Sequence, residues 1–469
     1  MRDGRGGGMS CALRMHRSAN SWVASTLLLV VSAQVSAQTA TPVTTTVPIS
    51  LTGELRTRSE VERQAGGSGS DLFTYLRARV GLRVDPSSDV RVMLQMQDSR
   101  VLGTEGNSAA SAADVLELHQ GYLEFARPWR GRQFAIRAGR QEVALGNERL
   151  VGVVNWSNLG RSFDGVLLSV ASTQAATGAS TPAVAGASTV AAAGASTVVS
   201  PWTLTMFGAT VDERGRRFGT LAGRTPSTDH TLAGLFVTRA LRNGAQLDAT
   251  LLYDGNGSYR QYSVADRGTI DARVRTMLPL GLRAELEGGW QFGHQQYKRT
   301  DSSAALSQQV RAWLAGVRVG TRAAATRKAM VTVGADLLSG DATPANGRYS
   351  AFATLYGSNH AFYGLNDVIG DPAASTRERG LVDMLATASM LLTPVVTLRG
   401  EVHRFTLATG ADRPLGSEID VLLPIRVGSA AGVEFGYSAF LPERGATTVG
   451  LGVAHKLRQW AYLQLRASF

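Results

Sequence analysis

The sequence predicts an all-β fold: a single closed antiparallel transmembrane β-barrel of about 18 strands, with short turns at one end and long loops at the other. Three observations predict it. From Gly53 to the C-terminus, segments of about ten residues alternate apolar and polar side chains, the period that sends them to two faces of a strand. The connections between these segments alternate short and long. The chain opens with an export segment and has no later run near the ~20 apolar residues that a helical span needs.

The export segment comes first. Arg14 and Arg17 precede the apolar run SWVASTLLLVV, and Val35–Ala37 reads VSA, a small-x-small cleavage site. Residues 1–37 are therefore expected to be a signal peptide, 38–52 a periplasmic lead-in, and 53–469 the barrel. Of 48 Lys+Arg and 37 Asp+Glu, cleavage removes four Arg and one Asp, which leaves 44 basic and 36 acidic residues, or +8. The single cysteine, Cys11, leaves with the signal peptide, so a disulfide framework is excluded.

The strands follow in order. FTYLRARVGLRV sets Leu76, Ala78, Val80, Leu82 and Val84 against Tyr75, Arg77, Arg79, Gly81 and Arg83. VRVMLQMQ sets Val90, Val92, Leu94 and Met96 against Arg91, Gln95 and Gln97. TIDARVRTML, LRAELEGGW and VVTLRGEVH repeat the pattern, and AYLQLRASF closes it with Leu463, Leu465 and Phe469 on the apolar parity. Strands are expected to start near residues 53, 73, 90, 116, 132, 162, 202, 230, 245, 261, 282, 308, 328, 380, 395, 417, 431 and 461. A further stretch, 447–454, is assigned to a loop, because an even number keeps both ends on the periplasmic side.

The connections then sort into two sets. DPSSD, RPWRG, RNGA, PLG, TRAAATRK, TP and VGSAA are tight; 97–115, 146–161, 212–229, 296–307, 342–379 and 443–460 are long. Tight periplasmic turns and long external loops are the outer-membrane arrangement. Residues 171–201 break the rule with a low-complexity repeat of period eight (GASTPAVA, GASTVAAA), read as a flexible insert on the turn side. Lipid accepts the apolar faces only if no backbone edge is left open, so the last strand must pair with the first.

The polar parity fills the lumen. It points Arg77, Arg79, Arg83, Arg91, Arg137, Arg273, Arg275, Arg283, Arg399 and Arg466 inward, with Asp271, Glu285, Glu287 and Glu401. A charge on the lipid face costs ~2–4 kcal/mol at the midplane, which is the physical reason for this assignment. Some of these charges are expected to pair across neighbouring strands. Ten cations against four anions nevertheless predict a positive lumen. Rings of arginine favour anions, and the guanidinium fork suits carboxylates.

Two loops attract attention. The 146–161 connection holds Glu148, Arg149, Trp156 and Arg161, either as an inward constriction or as packing at the rim. The 342–379 connection, with Tyr349, Tyr356, His360 and Tyr363, reads as an aromatic lid or extracellular cap. Asp341, Asp367 and Asp371 match no known metal loop. No metal or cofactor is expected. None of the seven histidines sits in a nucleophile motif, so no catalysis is expected. Nucleic-acid binding, the other reading of a pI near 10.2, is irrelevant to an exported barrel.

Two stretches carry a resemblance. AIRAGRQEVALGNERLVGVVNWSNLGRSFDGVLLSV (135–170) contains Arg140, Arg149, Trp156, Asn158, Arg161 and Asp164 in a recognisable order. LLSGDATPANGRYSAFATLYGSNHAFYGLND (337–367) adds a second block. Together they resemble the alginate-export outer-membrane porins. The resemblance implies an eighteen-stranded barrel in a Gram-negative outer membrane, monomeric, with a basic pore that passes anionic polysaccharide or oligosaccharide by diffusion. The terminal Phe469 resembles the signal such barrels present to the barrel assembly machinery. Outer-membrane lipid and lipopolysaccharide are the expected surroundings. An uptake porin for small organic acids is the alternative, and a non-conducting surface adhesin a third reading.

Overall fold

The computed structural model describes residues 47–64, 70–102, 114–172, 202–211, 230–241, 244–255, 262–297, 306–321, 329–343 and 347–469. The first nine strands are β1 (Ile49–Gln64), β2 (Ser70–Val84), β3 (Val90–Leu102), β4 (Asp114–Trp129), β5 (Arg132–Gln141), β6 (Phe163–Ser172), β7 (Trp202–Val211), β8 (His230–Ala240) and β9 (Gln246–Gly255). Then come β10 (Tyr262–Met277), β11 (Leu282–Tyr297), β12 (Leu306–Thr321), β13 (Ala329–Leu338) and the two-residue β14 (Arg348–Tyr349). The chain ends with β15 (Leu381–Leu391), β16 (Thr397–Leu407), β17 (Pro414–Val427), β18 (Ala431–Pro442) and β19 (Arg458–Ser468).

Each long strand pairs antiparallel with its sequence neighbour, and β19 returns to β1, so the sheet closes. β14 lies outside this ring: it adds in parallel to β12 at Gln309 and Val310, beyond the reach of β13. Eighteen strands therefore form the wall. Closure is what permits a sheet to sit in lipid, because no N–H or C=O edge remains open. The seam is tight at its lower end. Gly53 and Phe469 exchange both backbone hydrogen bonds, at 3.0 and 3.1 Å, and a Cβ on Gly53 would collide with the Phe469 ring.

The period-two pattern is realised as two faces. Leu55, Val80, Leu94, Val274, Leu286, Val333, Ile419, Leu463 and Leu465 stand exposed on the outside, with Phe469 at the edge. Arg56, Arg77, Arg79, Gln97, Asp248, Arg273 and Asp420 are buried on the inside. Among the described residues no helix is long and apolar enough to cross a membrane; the strands cross it.

The turn end is economical. Arg130 and Gly131 both take positive φ, 49° and 73°, the two-residue hairpin turn whose twist suits a β-ribbon. The predicted loop 443–460 is a loop, with a short helix α1 (Arg444–Val449) inside it, although β19 begins at Arg458 rather than 461. The strand start expected at Gly53 falls at Ile49, inside the expected lead-in, because Ile49–Thr52 still finds β2 to pair with. The expected signal peptide lies outside the described residues. So does the low-complexity insert beyond Ser172, the end of β6.

Candidate functional site

The lumen is crossed by chain. Residues 142–162, between β5 and β6, turn inward and rest against β1–β3. Three consecutive carbonyls accept from arginines of the wall. Arg56 donates from Nη1 to Asn155 O at 2.6 Å and from Nη2 to Ser157 O at 2.9 Å. Arg58 Nη1 reaches Trp156 O at 2.7 Å, and Arg77 Nη1 reaches Ser157 O at 3.0 Å. Gln97 Nε2 and Ser99 Oγ take the carbonyls of Leu159 and Asn158 at 2.7 and 2.9 Å. Irregular backbone at membrane depth survives because the wall satisfies it in this way.

The same loop also reaches the opposite wall. Arg149, 1% exposed, donates from Nε to Glu287 of β11 at 2.9 Å and from Nη1 to Asp336 of β13 at 3.0 Å. In an eighteen-strand ring, β2 and β11 stand half a turn apart. The loop is therefore strung across the pore and tied on both sides. Burial works against the charge on Arg149, but Tyr363, Asp336 and Glu287 more than reverse this and hold the guanidinium well above its ordinary pKa. Burial pushes the Tyr363 hydroxyl, 3.0 Å from Arg149 Nη1, well upward.

A second inward loop, 339–380, packs on the first. Tyr356 N–H donates to Leu150 O, and Gly152 N–H to Tyr356 O, both at 2.9 Å. The Arg161 guanidinium also donates to Tyr356 O. Tyr356 Oη reaches Asp254 of β9 at 3.0 Å, and Gln291 of β11 exchanges two hydrogen bonds with Ala353. Leu145, Leu150 and Val151 pack with Phe352, Val368 and Ile369 against Phe207, Leu232 and Leu252 of the wall. This places an apolar core inside the barrel. The expected external cap is instead an inward plug, because its aromatic and aliphatic side chains find this core. Pro372–Ser375 makes one helical turn, capped by Asp371, within the loop.

Trp156 lies between two partners. Arg58 Cζ sits 3.8 Å from the ring centroid, and His360 stacks on it at 4.1 Å with an interplanar angle of 4°. Trp460 and Tyr462 meet it edge-on. Of the other motif residues, Asn158 Nδ2 donates to Arg100 O at 3.2 Å. Arg140 and Asp164 form a two-pronged ion pair across β5 and β6, at 2.8 and 2.7 Å. They take the outward parity at the foot of the first loop, not the constriction.

The ten arginines named from parity divide into two groups. Arg77, Arg79 and Arg273 are covered: Arg77 by Glu54 and the loop carbonyls, Arg79 by Gln97 and Glu142, Arg273 by Asp248. Arg83, Arg91, Arg137, Arg275, Arg399 and Arg466 are partly exposed toward the turn end, each with an acid within 4 Å. Among the described residues Arg283 has no ion-pair partner. The count of four inward acids was low, since Glu54, Glu124, Asp248, Asp336, Glu418 and Asp420 also face in. Four acids are each shared by two of these arginines: Glu54 by Arg77 and Arg466, Asp85 by Arg83 and Arg91, Glu124 by Arg91 and Arg137, Asp248 by Arg273 and Arg275. The Glu54 trio keeps one positive charge, and so do Arg83, Arg91 and Arg137 over Asp85 and Glu124, whereas Glu285 near Arg273 balances the Asp248 set.

Parity reasoning missed Arg56 and Arg58, although Glu54, Arg56, Arg58 and Glu60 share one parity in plain view. It also missed Arg426, exposed at the turn end of β17 on the parity of Glu418 and Asp420. A groove of about 440 Å³ bordered by Ala272, Val274, Leu286, Gly288, Ala315 and Val317 opens on the lipid face, where small side chains adjoin, and not in the lumen.

The alginate export family model matches residues 47–434, nearly all of the described barrel. The chain belongs to the alginate export family. No curated protein matches this member of the family. Solved structures with the same fold include OpdO of Pseudomonas aeruginosa, at 13% identity and TM-score 0.55, covering 90% of this chain and 97% of that one. OccK2 (OpdF) of the same organism, in complex with glucuronate, has 13% identity and TM-score 0.54 over 90% and 98%. OccAB1 of Acinetobacter baumannii has 11% identity and TM-score 0.55 over 90% and 97%. This alginate export family barrel is an outer-membrane channel of a Gram-negative bacterium.

Proposed function

We propose that the chain is a passive, non-enzymatic channel for carboxylate-bearing saccharides, passing uronate units or short anionic oligosaccharides through a basic mouth and a narrow loop-bounded constriction. One observation carries this reading: the loop of residues 142–162 crosses the lumen, while partly exposed arginines gather below it, sharing too few acids to be neutralised. A guanidinium fork grips a carboxylate in two places, and half-exposed pairs exchange partners readily. The likeness to a barrel solved with glucuronate agrees with this substrate class. Export of a longer anionic polysaccharide is the second reading, and membership of the alginate export family favours it. A polymer would require the two inward loops to move together.

The test is a planar-bilayer recording of the purified protein. Glucuronate added to the turn side is expected to block current in brief, concentration-dependent events. A polyuronate that blocks equally well supports the polymer reading. A silent membrane overturns both and leaves a surface adhesin.

A further inference from the structure

A second polar cluster lies on β15–β17, away from the arginine mouth. Glu401 and His403 are two apart on β16 and face inward together; Asp420 stands directly across from Glu401 on β17, and Glu418 across from His403. His403 is 2% exposed, and Glu418 and Asp420 are fully buried. Four carboxylates, counting Asp383 of β15, surround one imidazole. Like charges opposed across a sheet destabilise it, and buried charge requires a counter-charge.

The imidazole shows where that counter-charge belongs. His403 Nδ1 lies 3.0 and 3.1 Å from the two oxygens of Asp383. A carboxylate there accepts a hydrogen bond, so Nδ1 carries the hydrogen and Nε2 keeps its lone pair. Nε2 is buried and has no hydrogen-bond partner. Its nearest acid oxygen, Glu401 Oε2, is 3.8 Å away, beyond hydrogen-bond reach. Asp420 Oδ1 is likewise buried without a partner. One donor atom from each of Glu401, His403 and Asp420 falls within 4.8 Å of the other two.

We infer that Glu401, His403 and Asp420 bind a divalent metal ion, with Nε2 of His403 as the nitrogen ligand. A histidine that hands its other N–H to a carboxylate is the outer arrangement of many metal sites. One nitrogen with carboxylate oxygens suits zinc, cobalt or manganese better than calcium or magnesium. The ion does structural work. The second oxygen of Asp420 accepts from Leu365 N–H at 3.3 Å, and Glu418 Oε1 accepts from Asn366 N–H at 2.9 Å. Metal on the wall thus fixes Asp420, one of the two carboxylates that hold the tip of the second inward loop.

The experiment titrates Co2+ into untagged, chelator-treated, folded protein in detergent and follows its visible absorption, with Zn2+ as competitor. One Co2+ per chain is expected, displaced by Zn2+. His403→Gln and Asp420→Asn should each weaken binding at least tenfold, whereas His294→Gln should not change it. Folding of every variant is checked by its heat-modifiable gel mobility; if His403→Gln does not fold, Asp420→Asn and Glu401→Gln decide. Folded wild type that binds no Co2+, or folded ligand variants that bind it as well as wild type, overturns the site and leaves a cluster held by protons alone.

Discussion

Arg149 meets Asp336 at 3.0 Å inside the barrel, and the two side chains are 1% and 0% exposed. Their loop rests by its other end on Arg56, Arg58 and Arg77, across the pore. A guanidinium buried against β11 and β13 thus ties a crossing segment to the far wall. Arg149→Met would leave Glu287 with Asn147 and Asp336 with Arg318 as their remaining partners. Removing one partner of a buried pair costs about 3–5 kcal/mol. The variant should unfold at lower urea in lipid vesicles and conduct with larger, noisier currents. Wild-type stability with wild-type currents would show that the tether carries no strain.

The two-face reading is tested by labelling. Arg283 is exposed on the inward parity, and Leu286, 58% exposed, stands on the outward one. The only cysteine in the sequence is Cys11, in the predicted signal peptide, so the background should be silent. In vesicles, Arg283→Cys should react with a charged, water-soluble thiol reagent, and Leu286→Cys should react only with a lipid-soluble one. Equal reaction of both with the charged reagent contradicts the barrel.

The wall was legible because a strand's period is two and the membrane penalises a wrong face. Strand starts fall within a few residues of expectation, since one parity of Leu82, Leu94 or Leu463 must meet lipid. The lumen was less legible, because water, protein and loop backbone all accept polar side chains. Arg77 and Arg83 share a parity and a residue type, yet one is covered by loop carbonyls and the other reaches solvent. Nothing in the local pattern distinguishes them; the loop that covers Arg77 lies about eighty positions away. The motif residues Arg149 and Trp156 were visible as a pattern, but their partners on β1, β11 and β13 come from closure of the whole ring.

The first inward loop has an acid-sensitive foot. Glu142, just past β5, lies 2.8 Å from His119 Nε2 and 3.3 Å from Arg79 Nη1. Burial raises its pKa, but the hydrogen bond with His119 and the charge of Arg79 outweigh this and hold it below the ordinary 4.5. A depressed carboxylate stabilises the fold fully above its unfolded value, and the contribution fades as pH falls through the folded value. Loop anchoring should therefore be constant at neutral pH and weaken in acid below about 4.5. Current noise in wild type should rise in that window, and Glu142→Gln should be noisy at neutral pH with little further change in acid. A flat wild-type profile down to pH 3 would remove the foot from the mechanism.

Selectivity should follow exposure rather than the number of arginines. Arg283 and Arg426 are exposed at the turn end with no acidic partner among the described residues, so their charge acts on passing ions. Arg77 is 2% exposed and already neutralised by Glu54 at 2.6 Å, so its charge acts on the loop. Arg283→Glu with Arg426→Glu should lower the anion-to-cation permeability ratio severalfold while leaving conductance and thermal stability near wild type. Arg77→Glu sets an acid beside Glu54 and beneath the carbonyls of Asn155 and Ser157. It should lower stability and change conductance through loop release. Reversal potentials in a salt gradient, read beside the melting temperature of each variant, separate the two. If Arg77→Glu alone inverted selectivity with stability intact, the covered arginines would be the filter and the mouth a bystander.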